Sequence, residues 1–148
     1  MTFEVFNPET LAAPRGWNHG LLAPPNGRLL FVAGQIGLAP AAPRGSQAGA
    51  AGPAPGFVEQ FGTALDHVLA VIRAAGGEPG DLARMTIFVT DLAAYRAARA
   101  ALGGAWRSRF GTHYPAMALV EVRGLVDAGA LVEIEATAVL APAPGGRT

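Results

Sequence analysis

The sequence contains no cysteine, which excludes disulfide bridges and thiolate metal sites. Its three histidines, His19, His67 and His113, show no HxH or HExxH spacing, so no dedicated zinc site is expected. Charge is scarce as well. Eleven basic and eleven acidic residues make up 15% of 148, where a soluble domain usually carries about a quarter. The two signs cancel and the Lys/Arg residues are scattered, with no basic stripe interleaved with aromatics. Nucleic-acid binding therefore gains no electrostatic support. No apolar run reaches about 18 residues without Gly, Pro or charge, which excludes a membrane-spanning helix. The N-terminus carries Glu4 and lacks the basic-then-apolar pattern of a signal peptide. These absences lead to the expectation of a cytoplasmic protein that binds neither membrane nor nucleic acid.

What is present is apolar. Hydrophobic residues reach 51%, and the length suits one domain over residues 1–148 with a sizeable core. So little charge implies that neighbouring subunits cover part of the surface. Thr2 to Phe6 alternates as a short strand that stops at Asn7-Pro8, and residues 9–28 are turn-rich. Asn26-Gly27 is a hairpin-turn signal because both residues tolerate positive φ, and it feeds the apolar run Arg28–Gln35. Gly34 breaks that run and lets the backbone lie close to another group. Residues 39–56 are mostly Ala, Pro, Gly and Ser and read as an exposed loop, with room for one further strand, while 141–148 read as a disordered tail.

Phe57 to Ala75 shows the clearest helical stripe, closed by Gly76-Gly77, with His67 off the stripe as a solvated residue. Arg84–Thr90 reads as a strand. Asp91 stands where an N-cap belongs, ahead of a looser helix from Leu92 to about Phe110 that Gly103-Gly104 weakens. The order of elements indicates an α+β layer, one mixed sheet with both helices on one face. The other face then needs a cover, and a ring of subunits is the economical one.

The stretch His113–Leu140 carries the chemistry. In its second half Val132, Ile134, Ala136, Ala138 and Leu140 share one strand face, and Leu131, Glu133, Glu135, Thr137 and Val139 share the other. Two carboxylates then point the same way among apolar and hydroxylic neighbours. A solvated sheet face accounts for this, and so does a pKa-shifted carboxylate beside a cleft.

In order along the chain, FVAGQIG (31–37), AAGGEPGDL (74–82), MTIFVTDL (85–92), YPAM (114–117) and VEIEATAV (132–139) together resemble the RidA (YjgF-type) family of reactive-intermediate deaminases. The resemblance spans Asn7 to Val139. It implies a chorismate-mutase-like α+β subunit in a homotrimer with a central β-barrel, and small-molecule sites in the clefts between subunits. It also implies hydrolysis of imines and enamines such as 2-aminoacrylate to a keto acid and ammonia, without metal or organic cofactor. Active members carry Pro-Ala-Arg, whose arginine pairs with the substrate carboxylate, and Glu-Ile-Glu, whose first glutamate holds the attacking water. A cleft aromatic lies near the N-terminal turn.

Carried onto this chain, Glu133 takes the position of the catalytic glutamate and Gly34 the backbone-approach position. Trp17 replaces the aromatic, His19 stands beside it, and Arg99 occupies a polar cleft position. Leu119 completes the substrate-binding set. Met117 stands where the arginine belongs and offers neither charge nor a fork of donors, so the usual carboxylate clamp is missing. Arg99 and Arg123 are the candidates to take it over. Two functions follow: an imine or enamine hydrolase with a substrate preference altered at Met117, or a non-catalytic ligand-binding trimer. Endoribonuclease activity is the less favoured third reading, given the zero net charge.

Overall fold

The computed structural model describes residues 2–38 and 55–142. In chain order it has β1 (Glu4–Phe6), β2 (Gly20–Leu22), β3 (Arg28–Ile36), α1 (Phe57–Ala74), a 3-10 turn (Pro79–Asp81), β4 (Leu82–Val89), α2 (Leu92–Phe110), β5 (Ala116–Glu121) and β6 (Val132–Leu140). The main sheet runs β3-β6-β4-β5, antiparallel except for the parallel β4–β5 pair. Mixed sheet and two helices agree with the α+β expectation.

Three expectations need correction. The turn-rich segment 9–28 contains β2, which pairs antiparallel with β1 in a separate two-stranded ribbon, so β1 is not part of the main sheet. Asn26 has φ of 64° and Gly27 is not in the left-handed region; the turn feeds β3 without pairing β2 to β3. His67 is not a free surface residue: its Nδ1 lies 3.0 Å from the Ile36 carbonyl and ties α1 to the end of β3. Residues 39–54 and 143–148, with the proposed loop strand and tail, lie outside the described residues.

Alternation along the strands decides what faces the helices. Val132, Ile134 and Ala138 of β6, with Met85, Ile87 and Val89 of β4, are buried beneath Phe61, Leu65, Val68, Leu69 and Ile72 of α1. Helix α1 ends as expected. Gly76, at φ of 83°, caps it with the Gly77 N–H on the Ile72 carbonyl and its own N–H on the Arg73 carbonyl, the paired pattern of a left-handed stop. At the other end a Cβ on Gly37 would overlap the Gln60 backbone, so only glycine lets the chain pass that close to α1. Buried Gln60 then donates to the carbonyls of Pro55 (3.0 Å) and Gly129 (2.9 Å) and accepts from the Leu131 N–H (2.8 Å).

Helix α2 is capped twice. Asp91 accepts from the Ala94 N–H (2.9 Å), and Glu121 at the end of β5 accepts from the Leu92 N–H (2.8 Å). It packs against α1 and stands off the β4–β5 side of the sheet, where α1 lies directly on β3 and β6. The helices are joined by Arg109, whose Nε and Nη2 both donate to the Asp66 carboxylate at 2.7 Å. Gly62 leaves the room for it: a Cβ there would sit 3.1 Å from Arg109 Nη2.

That hydrogen bond holds the Asp66 carboxyl below its usual range against the opposing effect of burial, and pushes Arg109 up. A folded-state pKa below the unfolded one contributes stability that is present above the unfolded value and lost as pH falls through the folded one. Because Asp66 is largely exposed, the contribution is about 0.2–1 kcal/mol. Urea melts should show Asp66→Asn destabilised by that amount at neutral pH, with the gap to wild type closing in acid. A gap independent of pH would contradict this assignment.

The opposite sheet face stays open and apolar. Leu29 is 62% exposed, Phe31 76% and Val120 42%, unusual values for large side chains on a sheet. Arg84 and Glu135 meet on this face at 4.0 Å.

Candidate functional site

The N-terminal segment is stitched to the start of β5 by asparagines. Asn18 donates its Nδ2 to the Tyr114 carbonyl (2.6 Å) and its backbone N–H to the Pro115 carbonyl (3.1 Å), forming a parallel bridge with Ala116. Asn7 donates to Asn18 Oδ1 and accepts from the His19 N–H, both at 2.8 Å. This network holds Trp17 beside β5. His19 packs edge-on against the Trp17 ring, centroids 4.5 Å apart, with Nε2 at 2.9 Å from the Ala12 carbonyl. Its role in the structure is to brace the tryptophan.

Beneath Trp17 the gap between α2 and the sheet opens into a cavity of about 480 Å³, within the ~300–1,000 Å³ typical of small-molecule sites. Parity along β5 explains the floor. Met117 and Leu119 pair with Met85 and Ile87 of β4 and therefore face the helices, while Ala116, Ala118 and Val120 face away. Tyr95, Arg99, Leu102 and Trp106 recur at helical spacing along the facing side of α2 and form the wall. Trp106 is fixed by donating Nε1 to the His113 carbonyl (3.0 Å) and by stacking on Phe110 (4.4 Å) and Tyr114 (5.7 Å). His113 is engaged through Nε2 with the Leu82 carbonyl at 2.7 Å and stacks on Phe3.

Of the expected site residues, Trp17, Arg99, Met117 and Leu119 line this one cavity. His19, Glu133 and Gly34 do not. Glu133 pairs across the strands with Ile36 and Phe88 on the open face, while Val132 and Ile134 on either side turn to the core. A Cβ on Gly34 would overlap the Glu133 carboxylate, so the group that closes on this glycine is Glu133 itself, at an irregularity between Val32 and Gln35. Glu133 is half-buried, and among the described residues its carboxylate has no hydrogen bond or ion pair. Arg123 lies exposed in the segment after β5, away from the cavity.

Tyr95, Trp106, Arg15 and Arg107 also line the cavity and escaped the sequence reading. The signal was the poor apolar stripe of α2, since a helix that faces a cavity needs no continuous core surface. Among the described residues no three His, Asp or Glu side chains cluster as a metal site would require, and no helix is long and apolar enough to cross a membrane.

Residues 9–140 match the family model described as Endoribonuclease L-PSP. The chain is 37% identical over 110 residues to the RutC family protein y4sK of Sinorhizobium fredii, covering 74% of this chain and 78% of that protein. It is 32% identical over 117 residues to the putative reactive intermediate deaminase TdcF of Escherichia coli, covering 76% and 80%. Among solved structures, the Rid family protein YyfB of Yersinia pestis superposes with a TM-score of 0.75 at 29% identity, over 95% of this chain and 100% of that one. Escherichia coli TdcF with bound serine superposes with a TM-score of 0.57 at 29% identity, over 82% and 92%. The chain belongs to the Endoribonuclease L-PSP family, the Rid-type (YjgF/RidA) proteins.

Proposed function

We propose that this protein hydrolyses reactive imines or enamines to a carbonyl compound and ammonia, at a site that two subunits build together. The observation that supports it most is the division of the expected site between the two faces of one sheet. The cavity of Trp17, Met117 and Leu119 lies under α2, and the unpaired Glu133 carboxylate stands on the open face. One chain cannot bring them together. A second copy, set against the apolar open face with its Leu29, Phe31 and Val120, brings its Glu133 to the mouth of the cavity. A homotrimer closed around a central barrel of three sheets is the assembly that serves this best, and its sites are cofactor-free.

The chemistry asks little of the protein. Glu133 accepts a proton from water, and the oxygen adds to the C=N carbon. The same carboxyl passes that proton to nitrogen, giving a carbinolamine, and then carries the hydroxyl proton to nitrogen as the C–N bond breaks, so that ammonia leaves with both protons of the water and the carbonyl forms. No electrons leave the system. Relatives named as 2-iminobutanoate/2-iminopropanoate deaminase (Capra hircus, 30% identical over 115 residues, 78% of this chain) and as reactive intermediate deaminase support the reaction class. Met117 marks the departure, because a thioether cannot pair with a carboxylate at the cavity floor.

The test is an amino-acid oxidase that generates imines from a panel of amino acids, small and polar to bulky and aromatic, with purified protein added. Faster release of keto acid on part of the panel is expected. No acceleration on any substrate would replace hydrolysis with ligand binding as the function.

A further inference from the structure

The cavity floor is neutral, but its rim is not. Arg15, Arg99 and Arg107 all line the opening, all are exposed, and among the described residues none of their side chains has an ion pair or hydrogen bond. Arg109, two residues after Arg107 on α2, shows the contrast, since it is consumed by Asp66. Unpaired guanidiniums around an aromatic cavity form a site for an anion with an apolar body.

The placement on α2 is more specific. Arg99, Gly103 and Arg107 stand four residues apart and therefore form one ridge along the helix. The glycine cuts a notch in that ridge between the two arginines. Arg107 leans back into the notch, with Nη1 3.2 Å from the position a Cβ on Gly103 would take. Residues 99 and 107 are roughly 12 Å apart along the axis by the helical rise, a span that two long side chains close from either end. Below the notch lie Trp17, Trp106, Met117 and Leu119, surface suited to an aromatic or branched side chain.

We infer that the cavity takes carboxylates with a bulky apolar side chain, the carboxylate seated at the Gly103 notch between Arg99 and Arg107 and the side chain on the Met117 floor. Resting on the proposed hydrolysis, this names the substrate class: 2-imino acids with aromatic or branched side chains. The clamp has moved from the floor to the rim. That places the imine carbon, next to the carboxylate, at the mouth, where the Glu133 of a second copy arrives. A small substrate reaches the rim but leaves the floor unfilled, and so gains nothing from the apolar surface.

Both tryptophans of the chain, Trp17 and Trp106, line the cavity, so intrinsic fluorescence reads its occupancy directly. The full-length protein is titrated with 3-phenylpropanoate, with its amide and with propanoate. Phenylpropanoate should bind about tenfold or more tighter than either, the scale of a charge-assisted contact and of one buried aromatic ring. The double variant Arg99→Gln/Arg107→Gln, which alters only exposed side chains and should melt like wild type, is expected to bind acid and amide alike. Equal binding of acid and amide to wild type, no binding at all, or an undiminished preference for the acid in the double variant overturns the inference. Binding does not depend on turnover. A protein that prefers phenylpropanoate yet fails the oxidase assay keeps the site and loses the reaction; one that accelerates only small imines keeps the reaction and loses this assignment.

Discussion

Glu133→Gln should lower the rate of imine hydrolysis about a hundredfold to ten-thousandfold, the usual contribution of a positioned acid–base group. Glutamine keeps the volume beside Gly34 and removes only the ability to accept and return a proton. The neighbouring carboxylate is the control. Glu135 points to the same face but meets Arg84 at 4.0 Å, so Glu135→Gln should leave the rate within a few-fold. Gly34→Ala should resemble Glu133→Gln, because the new methyl overlaps the carboxylate and displaces it. Steady-state rates for the three variants separate the cases. Equal losses for Glu133→Gln and Glu135→Gln would mean that charge on the open face matters, and not a specific base.

The second large effect concerns the strand that carries Glu133. Gln60→Leu retains the volume of a fully buried side chain and removes its three hydrogen bonds, to Pro55, Gly129 and Leu131. Stranding those backbone groups should cost about 2–4 kcal/mol, which for a domain of this size lowers Tm by roughly 10 °C. The Gly129 and Leu131 contacts lie just before β6, so the loss also loosens the approach to Glu133, and activity should fall even where the variant remains folded. A melting curve by circular dichroism decides it. An unchanged Tm would mean that water replaces the amide without cost.

Much of this architecture was legible because periodicity records burial. The α1 stripe from Phe61 to Ile72 reappears in the buried core with Phe57 packed against it, and the β6 alternation holds from Val132 to Ala138. Other parts had no such record. β2 is three residues long among prolines and glycines, and nothing local announces that it pairs with β1. His67 is off the apolar stripe, yet it meets a backbone carbonyl 31 residues earlier, a contact that only the fold creates. For the candidate site, the family resemblance singled out Trp17, Gly34, Met117 and Glu133. That Trp17 and Met117 meet while Glu133 faces away required strand register. Asn18, which stitches the Trp17 loop to β5, resembled any turn asparagine. Arg107 resembled any surface arginine until Gly103 appeared beneath it.

A site completed by two copies is tested most directly by mixing subunits. One parent is Glu133→Gln, with an intact cavity and no base. The other is Gly103→Trp, with an intact base and an indole placed at the cavity wall; a wild-type-like melting curve checks that it folds. Each parent alone should be nearly inactive in the oxidase-coupled assay. Refolded together in equal amounts, random assembly restores both intact halves at about a quarter of the sites, and activity should return to that fraction of wild type. A mixture no more active than its parents would contradict a shared site.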